Sequence, residues 1–380
     1  MKQVLMILDN DFRSDHRVQK EAETLLAHGY EVEILCVTTN LPAIEIRNGI
    51  SISRMLHPDI STRPFSKMAV NSYHQAVQYI LRKEVDVLHC HDYNVIHIGA
   101  AVKKKNPRIK LIYDAHEYFE AFNIHKTVSG KINKLKAFVV WKYLLHRENY
   151  SAKQVDALIS TTDYISNVLS KKFGIADAIA LRNIPEQTTI VPTNYIRQSL
   201  DIPDTAKIVV HSGNIYFGEE FLHEIVEQIK KVSFDIRVVF LISADRGSHI
   251  KEVVQKNKFG DRIHFMGYPT KEEIVSILSS ADIGLSWVNP QFQSHYLTSA
   301  NRYWEYTLAQ LPVLSNKQLE IEEQVSLHRN GIIFGNFQCA LEELLLDYVT
   351  YKKNAVAAST INSWEQEAEK LLSLYADLQD

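Results

Sequence analysis

The sequence predicts an α/β protein of two doubly wound domains in tandem, and three observations predict it. At 380 residues, 46% of them apolar, the chain is too long for one ordinary core. Short apolar runs suited to parallel strands buried on both faces alternate with stretches of helical periodicity. That alternation begins afresh near Lys207, beyond a stretch where Pro185, Pro192 and Pro203 interrupt the periodic pattern. The expected domains are 1–190 and 191–360, followed by a terminal helix over 361–380.

Val4–Leu8 is the first apolar run. From Asp15 to His28, Val18, Ala22, Leu25 and Leu26 recur at helical spacing, Gly29 supplies a stop, and Val32–Val37 is a second strand, completing a βαβ unit. Strand signals follow at Val85–His89, Lys110–Tyr113 and Ala157–Ser160, with helical material between them. The second domain opens with a strand at Lys207–His211 and a helix over Gly218–Val232. Strands at Arg237–Ile242, Arg262–Met266, Ile283–Ser286 and Leu311–Leu314 continue it. The last helix, Ser363–Leu378, carries Trp364, Ala368, Leu371, Leu372 and Tyr375 on one side and needs a surface to bury them. Packing back on the first domain would supply one.

The formal charge of -3 hides an asymmetry. Residues 1–190 hold 25 Lys and Arg against 20 Asp and Glu, a net +5, and the remainder hold 17 against 25, a net -8. Much of the basic excess sits in Lys103, Lys104, Lys105, Arg108 and Lys110 and between Lys126 and Arg147. It suits either a solvated face or attraction to an anionic membrane or a phosphate-bearing acceptor. Within it, Lys131–Lys142 is basic, apolar and helical in pattern, which fits peripheral contact with anionic lipid or packing on the first domain. No stretch approaches the run of about 18 uncharged apolar residues that a membrane span needs. The amino terminus reads directly into a strand, so a cytoplasmic protein without a signal peptide is expected, at most touching the inner face of the cell membrane. Cys36, Cys90 and Cys339 lie far apart with no second cysteine at metal or redox spacing, and all three are expected as reduced core thiols. Nothing points to a nucleic-acid partner.

Ligands of open α/β sheets bind beyond the carboxyl ends of the strands, so the loops after strands are where chemistry is expected. The first, Asp9–Ser14, has no glycine, which removes the GxGxxG fingerprint and disfavours a dehydrogenase. Asp9 and Asp11 have the spacing of a cation-holding DxD pair, a spacing common by chance, and no metal is assigned. His89-Cys90-His91-Asp92 and Asp114-Ala115-His116-Glu117 bring imidazoles and carboxylates to two adjacent strand ends. Zinc ligation by His89 and His91 is not expected, on the reading that alternating strand positions point to opposite faces. In the second half, Ser212-Gly213-Asn214 lets backbone amides approach a phosphate. The segment Ser299–Tyr306 reads as a loop entering a helix whose amides and positive dipole end suit a diphosphate. There Arg302 adds charge, and Glu305, one turn on, either accepts bonds from ribose hydroxyls or merely offsets the dipole.

Further segments complete a distributed pattern. They are Asp15–Ala22, Val85–Asp92, Tyr113–Tyr118, Arg182-Asn183-Ile184-Pro185, Phe265–Tyr268, Ala281–Gly284, Asn301–Tyr306 leading to Leu311-Pro312-Val313, and the Trp364 helix. Together they resemble the retaining glycosyltransferases of family 4 with the GT-B fold, over nearly the whole chain. The resemblance implies two Rossmann-like domains facing across a cleft, the first on the acceptor side, the second binding the nucleotide sugar, and a carboxy-terminal helix crossing back. It implies His116 beside the transferred sugar, Gly267 and Tyr268 at the nucleotide base, Glu305 on the ribose, and Asn301 and Arg302 flanking the diphosphate. Gly213, Asn214, Arg246 and Ser299 join the donor side, and Asp11, Arg13, His91, Asp92 and Glu117 form the acceptor side. The donor is expected to be UDP- or GDP-linked, with no cofactor or metal, since helix dipole, amides and basic side chains stabilise the departing diphosphate. A glycan or lipid-linked acceptor and a place in surface polysaccharide biosynthesis are the family-level expectation.

Two departures stand out. The family commonly has two glutamates separated by seven residues, and Leu297 stands where the first belongs; Gln293 or Ser294 are the candidates to replace it. Arg and Lys are also common after the glycine of the first second-domain strand, where this chain reads Gly213-Asn214-Ile215-Tyr216-Phe217-Gly218-Glu219-Glu220. Each lost charged hydrogen bond costs about 1–3 kcal/mol, and Arg246 is the candidate substitute. Those departures motivate the alternative of a degenerate partner subunit; a nucleotide-sugar 2-epimerase on the same fold is a further alternative, against which the Asn301–Tyr306 segment favours transfer.

Overall fold

A computed structural model describes residues 2–13, 15–37, 43–55, 67–122, 130–191, 193–213, 219–242, 262–288 and 293–378. The chain divides into two compact units, Met1–Arg182 with Glu367–Asp380, and Asn183–Gln366.

In the first unit, β1 (Gln3–Leu8), β2 (Glu31–Cys36), β3 (Ile44–Arg47), β4 (Ile50–Arg54), β5 (Val87–His91), β6 (Lys110–Ala115), β7 (Ala157–Ser160) and β8 (Ala178–Ala180) form one sheet. Their order is β3-β4-β2-β1-β5-β6-β7-β8, parallel except for the antiparallel β3–β4 pair. Asn48 and Gly49 both take positive φ, 52° and 82°, as a two-residue hairpin turn between β3 and β4 requires. The chain runs outward from β1 through β2 to β4, then returns to β5 on the other side, so the sheet reverses direction between β1 and β5. That switch point opens a crevice at the carboxyl ends of those strands. The third expected strand lies two residues later than its apolar run suggests: β5 takes in Cys90 and His91, because both pair with β6 and all five residues are buried.

The second unit holds six parallel strands, β9 (Lys207–Ser212), β10 (Ile236–Ile242), β11 (Ile263–Gly267), β12 (Ile283–Ser286), β13 (Val313–Ser315) and β14 (Gly331–Ile333), in the order β11-β10-β9-β12-β13-β14. Alternate side chains feed two cores: Val209, Val238, Phe240 and Leu285 on one face, Ile208, Val210, Val239 and Leu241 on the other. Its switch point lies between β9 and β12.

The last helix, Trp364–Asp377, starts in the second unit and belongs to the first from Glu367 onward. It buries Leu371, Leu374 and Tyr375. Cys36 and Cys90 are buried, but Cys339 is exposed, correcting its expected core position; it faces outward on the helix Phe337–Leu346, whose inward side is Ala340, Leu341 and Leu344. Among the described residues no helix is long and apolar enough to cross a membrane.

Candidate active site

At the first unit's switch point, the sheet and the helix His16–Ala27 bring ionisable groups together. Arg17 sits buried in the helix's first turn and grips Asp114 with two nitrogens, Nε at 3.1 Å and Nη2 at 3.0 Å. It also pairs with Glu21 one turn on, at 3.1 Å, and donates from Nη1 to the Leu181 carbonyl at 2.6 Å. Burial alone would raise the Asp114 pKa, but Arg17 and His116 hold it well below the usual carboxylate range. Burial and the nearby Asp114 raise Glu21 to about 8 against the pull of Arg17 and His116, so it is mostly protonated at neutral pH.

His116 follows β6 with each ring nitrogen facing a carboxylate: Nε2 lies 3.4 Å from Asp114 and Nδ1 3.5 Å from Asp92. Burial works against its charge, yet Asp92 and Asp114 raise it to about 10. The ring is therefore an imidazolium at neutral pH, with its side chain 21% exposed. Asp92 is shaped to hold it. Its backbone is left-handed, with φ 73°, which turns the carboxylate back to accept from the His116 amide at 3.3 Å. His91 Nδ1 lies 3.3 Å from Asp114, and burial lowers the His91 pKa, so a neutral imidazole stands beside the charged one.

His89 and His91 share one sheet face, their rings stacked 4.2 Å apart, which corrects the expectation of opposite faces. Residues two apart on a strand point the same way. Glu21, His89, His91 and Asp114 each offer a ligand atom within 4.8 Å of the others, a donor set suited to zinc by atom type. Arg17 already occupies both oxygens of Asp114 and pairs with Glu21, so a dication would sit against a guanidinium. The cluster reads as a buried ion network, and His89 Nδ1 is taken by the Tyr375 hydroxyl at 2.9 Å.

Asp11 and Arg13 pair with each other in the loop after β1, at 2.6 Å, and Arg13 lowers the Asp11 pKa. Asp9 accepts instead from Asn94, so the two aspartates do not converge as a DxD pair. Glu117 is exposed next to His116.

In the second unit Glu305 and Arg302 stand one turn apart on the helix Asn301–Leu308. The Glu305 carboxylate accepts from Ser212 Oγ at 3.2 Å and from the Tyr268 hydroxyl at 3.4 Å, and burial raises its pKa. Arg302 Nη1 donates to the Trp287 carbonyl at 3.0 Å and lies 3.1 Å from His211 Nε2. Gly213, φ 89°, comes so close to Arg302 that a Cβ there would lie 3.4 Å from Nη2. Tyr306, hidden behind them, accepts from the Ser212 amide at 2.8 Å and donates to Leu285 O at 3.1 Å.

Gly267 and Tyr268 border a cavity of about 490 Å³ together with Tyr195, Met266 and Glu273. Asn301 is exposed at the helix start, and the Ser299 hydroxyl is buried with no partner among the described residues. Leu297 ends the short helix Gln293–Leu297, in which Ser294 is buried with its hydroxyl unpartnered among the described residues. A second cavity, of about 290 Å³, adjoins that helix and takes in Trp287, His295 and Lys317, which the sequence patterns did not single out. Asn214, Arg246 and the Gln293 side chain lie outside the described residues.

Residues 16–181 match the family model Glycosyltransferase Family 4. An uncharacterized glycosyltransferase of Methanocaldococcus jannaschii is 20% identical over 286 residues, covering 69% of this chain and 67% of that protein. Among solved structures, sucrose-phosphate synthase from Thermosynechococcus elongatus superposes with a TM-score of 0.77 at 16% identity, covering 100% of this chain and 99% of the other. A trehalose-6-phosphate protein from E. coli bound with UDP-2-fluoro glucose superposes with a TM-score of 0.68 at 13% identity, over 100% and 99%. The fold is GT-B, two Rossmann-like parallel-sheet units, as the sequence predicts.

Proposed function

We propose that this chain, a glycosyltransferase by its matched domain and GT-B fold, transfers a sugar from a UDP-linked donor to an acceptor with retention of configuration. One observation carries the donor assignment: Glu305, held by Ser212 and Tyr268, stands one helical turn from Arg302 at the carboxyl ends of β9 and β11. A carboxylate with its oxygens already turned toward hydroxyl donors is suited to a ribose diol, and the guanidinium to a diphosphate. The cavity beside Gly267 and Tyr268 has room for a base. The E. coli neighbour's UDP-2-fluoro glucose supports uridine over guanosine.

In this reading the amides at the start of the helix Asn301–Leu308 and Arg302 stabilise the diphosphate as the glycosidic bond breaks, without a metal. His116, charged between Asp92 and Asp114, donates a hydrogen bond on the sugar and acceptor side. The acceptor hydroxyl attacks the face the diphosphate leaves and passes its proton to the departing diphosphate oxygen, so no protein nucleophile is required. A glycan or lipid-linked acceptor of a surface polysaccharide fits this scheme, and the exposed basic helix Lys131–Ala152 supports work at the inner face of a membrane.

Calorimetric titration with UDP and GDP, without metal and then with magnesium, tests the donor reading. UDP is expected to bind without metal, and Glu305→Ala to weaken it about tenfold, near 1.4 kcal/mol. Binding that needs magnesium, or that Glu305→Ala leaves unchanged, overturns the assignment. The anomeric configuration of the product, read by NMR, tests retention, and an altered sugar nucleotide formed without acceptor would indicate epimerisation.

A further inference from the structure

The helix Lys131–Ala152 is apolar on two opposite sides. Trp141, Leu144 and Leu145 turn inward against Phe119. On the other side Ile132, Leu135, Val139, Tyr143 and Tyr150 are exposed, Ile132 to 72% and Leu135 to 65%. At 3.6 residues per turn these five form one narrow stripe. Lys131, Lys136 and Lys142 flank it, and the helix's one carboxylate, Glu148, is buried on the inward side.

Tyr143 and Tyr150 also line a cavity of about 460 Å³, together with Tyr73, His97, Lys104 and Arg147. Among the described residues no Asp or Glu lines it. Arg147 reaches the Asn94 carbonyl, at 3.5 Å, and the Tyr143 phenol, while its Nε is buried without a partner. Among the described residues no carboxylate pairs with it, and burial lowers its pKa. A guanidinium that is half-buried, with its Nε fully so, and that meets no carboxylate among the described residues is costly, and here it sits beside a second cation and aromatic walls.

We infer that this cavity seats the phosphate of an amphiphile whose apolar chain lies along the stripe from Tyr143 toward Ile132. Arg147 supplies the planar fork that matches phosphate oxygens, Lys104 the second charge, and the tyrosines the wall for the first carbons of the chain. The exposed stripe favours a lipid phosphate over a free anion, since a free anion gives Ile132, Leu135 and Val139 nothing to bury them. That this amphiphile is the sugar acceptor rests on the function proposed above; the binding site does not.

The test is calorimetric titration of the full chain with dihexanoyl phosphatidic acid below its micelle concentration, without nucleotide. Dihexanoyl phosphatidylcholine and inorganic phosphate are the comparison probes. Phosphatidic acid is expected to bind saturably and at least about tenfold more tightly than either. Arg147→Gln is expected to weaken it about tenfold or more, and Val139→Ser to weaken the lipid while sparing inorganic phosphate. Should Arg147→Gln fail to fold, Lys104→Gln, at an exposed position, takes its place. No binding, affinity equal to that of inorganic phosphate, or binding indifferent to these substitutions overturns the inference. UDP titrated into the same variants separates the failures: lost lipid binding with UDP binding intact is this pocket's own effect, and absent UDP binding counts against the donor reading alone.

Discussion

His116 owes its charge to two carboxylates that come from different strands, and its contribution to stability depends on pH accordingly. Its folded-state pKa of about 10 lies above the ordinary 6.5, so the stabilisation is complete below 6.5 and is lost as pH rises toward 10. Asp92→Asn keeps a residue tolerant of the left-handed backbone while removing one partner. It is expected to cost about 1 kcal/mol at pH 7, a gap that narrows toward pH 10, measured by urea unfolding at both. His116 and Asp92 were legible as polar residues after apolar runs. Arg17 and Glu21 were not: they show as a charged i,i+4 pair, but Arg17's other partner, Asp114, is 97 residues away, a distance local patterning does not bridge.

At the scale of elements, the helix Asn301–Leu308 is fixed from behind by Tyr306, which fits only because residue 284 is glycine; a Cβ there would lie 2.4 Å from the ring. Tyr306→Phe would leave the buried Ser212 amide without its acceptor, at about 1–3 kcal/mol. Because Ser212 also holds Glu305, UDP affinity is expected to fall along with the melting temperature, measured by calorimetry on one preparation. Unchanged UDP affinity would separate Tyr306 from the site. Most strands were legible as apolar runs, whereas β14 is three residues long and carries no pattern of its own. The β3–β4 hairpin did carry a signal: Asn48-Gly49 between alternating Ile44, Ile46, Ile50 and Ile52 is a strong hairpin mark, one that a search for buried parallel strands passes over. The helix Lys131–Ala152 defeats a one-face reading because one apolar stripe packs inward while another is exposed.

For the whole molecule, the last helix gives the first unit a partner that its own first 182 residues lack: Tyr375 against His89. Tyr375→Phe would leave His89 Nδ1 unpartnered in the core, at about 1–3 kcal/mol. Hydrogen exchange is expected to speed up in β1, β5 and β6 while β9 and β12 keep their protection, and equal acceleration in both units would refute that independence. Two tandem doubly wound units were legible from the restart of the strand–helix alternation near Lys207, because each repeats a local pattern. The return of the helix was legible only as an apolar face needing cover. Its placement bears on the order of assembly. During synthesis the first 182 residues emerge well before Glu367–Asp380, and 286 positions separate His89 from Tyr375. The second unit, continuous in sequence, can finish while the first waits for its final piece. A nascent chain halted before that piece would carry an unfinished amino-terminal half, with the apolar seat of Leu371 and Leu374 open to chaperones.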